Sequence, residues 1–368
     1  MTGGTVLRRD SGPPTFRRRS GSYRRRVAVP VPALLAVLAT LAGTPGTLAA
    51  DEAAGHTVNA FPATPLFRAY VVEQYATANR MEIQWANKAP PGYPWPEGYG
   101  ERPLALIRLG VEIPFVGGSG GGWGWYVGAP LALEFVDDLF EAETAPVVNT
   151  DYWFGMRVEA SRDLPWRWPS NVGLRLLPVF HESTHLGDET ALFAAHEDPM
   201  GHYRINVSYE AWEAALCLDE WDGGDDPAFT LRLGASGRWN AAGYYDIPTD
   251  AEIGSGLAPG DFHGSRRNLE WFGQAHVVVP RGFPALGPWT FQGGLELRSR
   301  IVFDYFGTGD EQRIPTLGAA LGWYRYVEGF GDRRWGFHLR ILAGQNPHGQ
   351  YREQDGYFVF ATGFSLGI

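Results

Sequence analysis

The segment VFHESTHLGDE, residues 179–189, holds the residue types and spacings in this chain that could best do chemistry. Its core, HESTH, fits the zinc-peptidase pattern H-E-x-x-H, in which two histidines one helical turn apart hold the ion. The same core places His181 and Ser183 two positions apart, and an imidazole beside a hydroxyl can activate it as a nucleophile. The first chemistry needs a helix and the second tolerates a strand, so the secondary structure of the segment decides between them.

The first 50 residues predict a secretory signal peptide. They hold eight Arg and one acid, Asp10, followed by an apolar run at 27–42 and the sequence LAA. A basic stretch, an apolar run and small residues in this order are typical of exported proteins. Without this segment 23 basic and 40 acidic residues remain, a net charge of −17, which argues against a nucleic-acid partner.

The rest of the chain alternates apolar with small or polar residues, the pattern of strands that cross a membrane. In the last segment, YFVFATGFSLGI, apolar residues from Phe358 to Ile368 share one face, and small or polar residues from Ala361 to Gly367 share the other. Apolar side chains toward lipid and polar ones toward the lumen are typical of transmembrane β-barrels. The segment resembles the closing strand of bacterial outer-membrane barrels.

The alternation predicts about 12 strands, each long enough to cross a bilayer with ~9–11 tilted residues. They are predicted at 76–87, 103–113, 123–136, 150–160, 170–184, 203–220, 226–240, 267–280, 288–302, 312–326, 334–345 and 356–368. We therefore expect an all-β fold, an antiparallel transmembrane β-barrel of about 12 strands after a cleaved signal peptide. Residues 1–50 form the signal peptide, 51–75 a periplasmic arm or plug, and 76–368 the outer-membrane barrel.

Strict alternation along the predicted strand 170–184 separates its side chains into two faces. Val172, Leu174, Leu176, Pro178 and Phe180 are expected to face lipid. The expected lumen face is polar, and with the next predicted strand it comprises Arg175, His181, Ser183, His185, Arg204, Asn206, Ser208 and Glu210. We predict that this polar cluster lies near the outer end of the barrel.

A strand weakens the zinc hypothesis. At about 3.3 Å per residue, His181 and His185 start about 13 Å apart, too far for both to reach one ion at about 2 Å. A zinc metallopeptidase is therefore kept as a minor alternative.

The hydrolase hypothesis is compatible with a strand, because His181 and Ser183 then share a face. If the hairpin closes through 185–202, Asn206 and its neighbours lie opposite them, which gives a Ser-His-Asn arrangement. Asp188 and Glu189 at the loop entrance could bind Ca²⁺, which prefers carboxylate oxygens.

These residues resemble two groups of proteins. The H-x-S strand motif in a barrel of about twelve strands is similar to the outer-membrane phospholipase A and lipid A deacylase group. That resemblance implies that His181 is the base, Ser183 the nucleophile and Asn206 the orienting residue. In that group the catalytic pair faces outward to lipid, whereas the alternation here predicts that His181 and Ser183 face the lumen. HESTHLGDE with the nearby RIN also resembles a group of uncharacterised bacterial envelope proteins, for which no function is settled.

Two functions from different classes remain open. The first is an outer-membrane barrel whose His/Ser/Asn/Arg cluster serves structure or the binding and passage of a small solute, since polar barrel interiors must be hydrogen-bonded. The alternative is an envelope-lipid acyl hydrolase with a Ser-His-Asn type site and possible Ca²⁺. The expected partners are outer-membrane lipids and the barrel-assembly machinery.

Overall fold

The structure, a computed structural model, describes twelve ranges of the 368-residue chain. They are residues 57–62, 65–73, 76–87, 103–139, 147–187, 208–220, 225–240, 269–280, 289–303, 311–326, 334–348 and 356–367. The predicted signal peptide, 1–50, lies outside them. In the described ranges no helix is long and apolar enough to span a membrane.

Thirteen strands make up the described structure, and their positions follow the predicted alternation closely. They are β1 (Thr57–Ala60), β2 (Asn79–Ala86), β3 (Leu104–Gly120), β4 (Trp123–Asp137), β5 (Val147–Asp163), β6 (Asn171–Leu186), β7 (Ser208–Leu218), β8 (Ala228–Asn240), β9 (Glu270–Val279), β10 (Thr290–Phe303), β11 (Glu311–Tyr326), β12 (Arg334–Gly344) and β13 (Tyr357–Gly367). Except for β1, each corresponds to one predicted strand.

Strands β2 to β13 form a closed antiparallel barrel, which confirms the predicted fold class. Each strand pairs with its sequence neighbours, and β13 pairs with β2, so every strand from β2 to β13 has a partner on each side. Closure matters in lipid because unpaired backbone groups would find no water there. The short connections at 121–122 and 164–170 lie at one end, the turn end. Strands β6 and β8 end, and β7 and β9 begin, at the other end, which we call the loop end.

The side chains divide between an apolar outer surface and a charged lumen. Large apolar residues such as Leu174, Leu216 and Leu233 are 44–50% exposed on the outer surface. Arginines and glutamates such as Arg232, Arg298 and Glu82 are almost fully buried. This is the inverse of a soluble protein, and it is the arrangement of a barrel that spans a membrane.

Residues 65–73, the plug segment, lie inside the barrel and contact lumen-facing side chains of several strands. The backbone N–H of Phe67 donates to Glu159 of β5, Arg232 of β8 donates to the Arg68 carbonyl oxygen at 2.8 Å, and Tyr70 stacks on His276 of β9 at 3.9 Å between ring centroids. The segment thereby ties together strands on different sides of the barrel.

Glu73 of the plug segment is the centre of the lumen charge network. Its carboxylate accepts hydrogen bonds from Arg175 of β6 and, at 3.1 Å, from Arg232 of β8. Burial alone would raise the pKa of the Glu73 carboxyl, but the guanidiniums of Arg175 and Arg232 hold that pKa well below its usual range. A lowered pKa in the folded state contributes stability at neutral pH that is lost as the pH falls below the ordinary carboxyl range. Arg175 extends the network to Glu213 of β7 at 3.1 Å.

A β-bulge in β6 changes which residues face the lumen. Val158 of β5 pairs with Leu176, but Met156, two residues earlier, pairs with Val179, so β6 contains one extra residue between them. The register with β7 shifts at the same place. Pro178 lies in this bulge. Proline has no N–H to donate to a regular ladder, and a bulge accommodates it because the ladder is interrupted there. The Trp239 indole donates to the Pro178 carbonyl oxygen at 2.8 Å, which supplies the hydrogen bond that the ladder omits.

We expect Arg175→Ala to destabilise the barrel strongly, because it leaves Glu73 and Glu213 buried with one cationic partner fewer. Removing one partner of a buried ion pair typically costs about 3–5 kcal/mol. The measurement is reversible urea unfolding in lipid vesicles, followed by tryptophan fluorescence. Arg167→Ala, at an exposed position in the 164–170 turn, is the matched control and should leave the midpoint unchanged. Equal midpoints for the two variants would show that the network contributes nothing to stability.

Candidate active site on the outer face of the barrel

Beyond the bulge, His181, Ser183 and His185 lie on the outer face of β6, not in the lumen. His181 pairs with Phe154 of β5, which is 50% exposed toward lipid, and the two rings lie 5.2 Å apart. The intervening residues Glu182 and Thr184 are the buried, lumen-facing ones, with 2% and 0% exposure.

The predicted lumen cluster is therefore wrong for every described member past residue 177. Arg175 does face the lumen, but His181, Ser183, His185, Ser208 and Glu210 face outward, and Phe180, which was expected to face lipid, is 5% exposed inside. The physical reason is the extra residue at the bulge, because a shift of one position moves every following side chain to the other face.

His181 is held next to a carboxylate of the neighbouring strand. It pairs with Glu210 of β7, and the His181 Nδ1 atom lies 3.5 Å from Glu210 Oε1. Both side chains are partly exposed, His181 by 25% and Glu210 by 45%. A carboxylate at Nδ1 favours the tautomer with its proton on that nitrogen and leaves Nε2 free to accept a proton.

Ser183 lies between two hydroxyl-bearing residues and two histidines. Tyr152 of β5 and Ser208 of β7 are its cross-strand partners, and His181 and His185 lie two positions away on either side. The Tyr152 hydroxyl and His185 Nε2 form a short hydrogen bond, and their rings stack at 5.3 Å. These neighbours leave Ser183 only 6% exposed. In the described part of the chain no hydrogen bond joins Ser183 to an imidazole, and catalytic hydrogen bonds often tighten only when substrate binds.

The lumen side of the same strand segment is hydrogen-bonded and gives the site a rigid support. The Tyr209 hydroxyl of β7 donates to Glu182, and Thr184 Oγ1 donates to Asn149 Oδ1 at 3.1 Å. Both contacts cross from β6 to a neighbouring strand, so they fix the register on which the outer cluster depends.

The zinc-peptidase alternative does not fit this geometry. Residues 181–185 belong to strand β6, and Glu182 faces the lumen while the two histidines face outward. The base and the ligands of the H-E-x-x-H pattern are thus on opposite sides of the barrel wall, and the histidines are too far apart along an extended strand to share an ion.

Four predicted site residues lie outside the described residues. They are Asn206 and Arg204, which precede β7, and the proposed calcium ligands Asp188 and Glu189, which follow β6. The described residue opposite His181 is Glu210.

Sequence reasoning missed Tyr152 and Trp239. The contacts of Tyr152 depend on the register of β5 against β6, and those of Trp239 on the registers of β8 against β7 and of β7 against β6. Alternation within one strand does not contain these registers. One signal was available for the bulge: Pro178 stands inside a predicted strand, where a proline indicates a bulge or an edge.

Comparison with known proteins gives likenesses of fold. No protein-family model matches the sequence, and a search of curated proteins finds no relative. Among solved structures, outer membrane phospholipase A from Escherichia coli is 12% identical, with 79% of this chain and 93% of that chain covered and a TM-score of 0.43. The Salmonella typhi outer membrane phospholipase dimer with bound calcium is also 12% identical, with 79% and 90% covered and a TM-score of 0.41. The NanC porin is 11% identical, with 79% and 100% covered and a TM-score of 0.34.

The outward orientation can be measured with nitroxide spin labels in lipid vesicles, in a chain whose single cysteine, Cys217, is replaced by serine. We expect labels at Leu174→Cys and His181→Cys both to collide readily with oxygen dissolved in the bilayer, and a label at Glu182→Cys to be protected. Positions 174 and 181 are an odd number apart, so shared lipid exposure requires the bulge. Protection at 181 with exposure at 182 would restore strict alternation.

Proposed function

We propose that this protein is an outer-membrane acyl hydrolase that cleaves an ester bond of an envelope lipid. Ser183 is the nucleophile, His181 the general base, and Glu210 takes the orienting role that the resemblance implies for Asn206. The site is a Ser-His-Glu arrangement on the outer surface of the barrel.

The observation that carries the proposal is the position of the polar cluster on the outward face. Inside the lumen, histidine, serine and glutamate could serve simply to fill the interior with hydrogen-bonded groups. On the lipid face they replace apolar side chains. Polar groups in contact with lipid lower the stability of the barrel, so their presence there indicates a function. Ser183, His181 and Glu210 all share this face. The catalytic pair of the group that the H-x-S motif resembles also faces lipid.

The geometry suits acyl transfer. With Glu210 beside Nδ1, Nε2 of His181 can take the proton of Ser183 as Oγ attacks the ester carbonyl. The tetrahedral intermediate collapses to an acyl-enzyme when His181 returns the proton to the departing alcohol. Water, activated by the same imidazole, then releases the fatty acid. Because Ser183 is largely covered, a substrate must displace a neighbouring side chain to reach the hydroxyl.

The position along the strand indicates the substrate class. Ser183 lies three residues before β6 ends at Leu186 at the loop end, roughly 10 Å along the strand. In barrels with this arrangement of connections the longer loops face the cell exterior. Phe154 and Leu131, both about half exposed toward the turn end, offer an apolar surface for an acyl chain below the hydroxyl. An ester at the boundary between headgroup and hydrocarbon, in a phospholipid or a lipopolysaccharide of the outer leaflet, fits this site.

The competing proposal, a structural or solute-passage barrel, is supported by a different set of residues. The network of Glu73, Arg175 and Arg232 ties the plug segment to the wall, and such pairs suit a structural role. This network accounts for Arg175, but it contains neither Ser183 nor His181.

We expect Ser183→Ala to abolish fatty-acid release by the refolded protein, with a fall of at least about 1,000-fold. The assay uses mixed micelles of phospholipid or lipopolysaccharide, with Ca²⁺ and in parallel with a chelator, because Asp188 and Glu189 are predicted calcium ligands. Ser208→Ala, the hydroxyl opposite Ser183 on β7, is the matched control and should retain most of the activity. Absence of release by the wild-type protein on both lipids would leave the structural or passage role.

Glu210→Gln tests the orienting role separately from the nucleophile. We expect kcat to fall by about 100-fold with little change in KM, because the imidazole loses the charge that holds its tautomer and stabilises its protonated form. Glu210→Asp should recover part of the loss. If Glu210→Gln is as active as the wild type, a group other than Glu210 orients His181.

A further inference from the structure

A cluster of potential metal ligands lies in the lumen, on the opposite face of the barrel wall from Ser183. Glu134 of β4 and Asp151 of β5 are direct cross-strand partners, and His348 follows β12. One ligating atom from each residue lies within 4.8 Å of the others. All three residues are more than nine-tenths buried, at 7%, 7% and 3% exposure.

The buried imidazole of His348 is incompletely hydrogen-bonded. Its Nδ1 atom lies 3.3 Å from Glu134 Oε1. Buried polar atoms are nearly always satisfied. The buried Nε2 has no hydrogen-bond partner and Nδ1 has only the carboxylate of Glu134, so the imidazole indicates a missing partner.

The carboxylate pair points to the same conclusion. Acids directly opposite each other on antiparallel strands repel. Two arginines partly offset the charge: Nε of Arg108 of β3 donates to Glu134 Oε2 at 2.6 Å, and Arg80 Nη2 of β2 lies 3.8 Å from the same oxygen. These contacts occupy one oxygen of Glu134 and leave Oε1 directed toward His348.

We propose that Glu134, Asp151 and His348 bind one divalent transition-metal ion, of which Zn²⁺ is the representative. The imidazole nitrogen selects against Ca²⁺ and Mg²⁺, which prefer oxygen ligands alone. Tetrahedral ligands at about 2.1 Å from zinc lie about 3.4 Å from one another, so the three atoms need to approach by little more than 1 Å. Water completes the coordination. The proposal does not depend on the lipid-hydrolase function.

Such an ion would fasten the connection after β12 to the wall at β4 and β5. The residues before His348 are already held to the barrel, because the Gln345 N–H donates to Thr316 Oγ1 of β11 at 3.2 Å. The His348 N–H donates to Asn346 Oδ1 at 3.0 Å, which shapes the turn that presents the imidazole. In the strand order β12 and β4 are separated by β13, β2 and β3, so the ion would link two distant parts of the wall.

The test is equilibrium dialysis of the untagged, folded barrel in detergent against Zn²⁺, with metal content measured by mass spectrometry. We expect one zinc ion per chain, and an affinity at least about 100-fold weaker in each of Glu134→Gln, Asp151→Asn and His348→Gln. Co²⁺ loaded in place of zinc should show the intense visible absorption of a tetrahedral site in the wild type and lose it in His348→Gln. Heat-modifiable migration in SDS gels verifies that each variant is folded.

The matched control is His276→Gln, which alters a buried lumen histidine that stacks on Tyr70 and does not belong to the cluster. It should bind zinc as the wild type does. A folded wild type that retains no zinc would overturn the proposal and leave His348 as an ion-pair partner of Glu134. Zinc binding that survives His348→Gln but is lost in His185→Ala would also overturn it, because the ion would then belong to the outer surface.

Discussion

Every backbone polar group of a barrel in lipid must be paired with a neighbouring strand, and this constraint governs the rest of the structure. Closure of β13 onto β2 gives each strand of the barrel a partner on both sides. Within a closed ladder, alternate side chains are committed to lipid or lumen, and few local changes can exchange the two faces. The bulge at Pro178 is one, because it adds a residue to β6 while the pairing with β5 and β7 resumes on either side. The indole N–H of Trp239 donates a hydrogen bond to the Pro178 carbonyl oxygen in this bulge.

The same constraint also explains the ion pairs in the lumen. Charged residues whose backbones belong to the ladder must be satisfied inside the wall or by the plug segment, and Glu73 meets two arginines from separate strands. Buried ion pairs contribute less net stability than their strength suggests, since desolvation opposes the attraction. Their contribution to specificity is clearer: Glu73 fits where Arg175 and Arg232 converge, so the network fixes where the plug segment lies.

Local sequence patterns were sufficient to predict the strands, but they were not sufficient to predict the contacts between the strands. The predicted strand 123–136 corresponds to Trp123–Asp137 because a period of two is visible within a single segment. Residues 114–120 lie between the predicted strands 103–113 and 123–136, yet they extend β3, and residues 116–119 pair with β1. Glycine is needed there because a Cβ at Gly118 would lie 2.5 Å from the Thr57 carbonyl oxygen. That requirement is a contact with a distant residue, which glycine content alone does not reveal.

The candidate site shows the same limit more sharply. The types and spacing of His181 and Ser183 were recognised from the sequence, but their face depended on one inserted residue, and their partner Glu210 on the register of β7. His348 reaches Glu134 across three intervening strands of the barrel, a relation that only the closed structure contains.

The two candidate sites share strand β5 without sharing a mechanism. Asp151 belongs to the proposed metal site in the lumen. Tyr152, the next residue, faces outward and forms a hydrogen bond with His185 beside Ser183. Coupling between them would require that metal binding change the equilibrium between two arrangements of the outer side chains. A strand paired on both sides along its length resists displacement of its backbone, so an ion at Asp151 has little means of moving Tyr152. The metal is therefore better understood as a fastening for the connection at the loop end than as a regulator of the outer site.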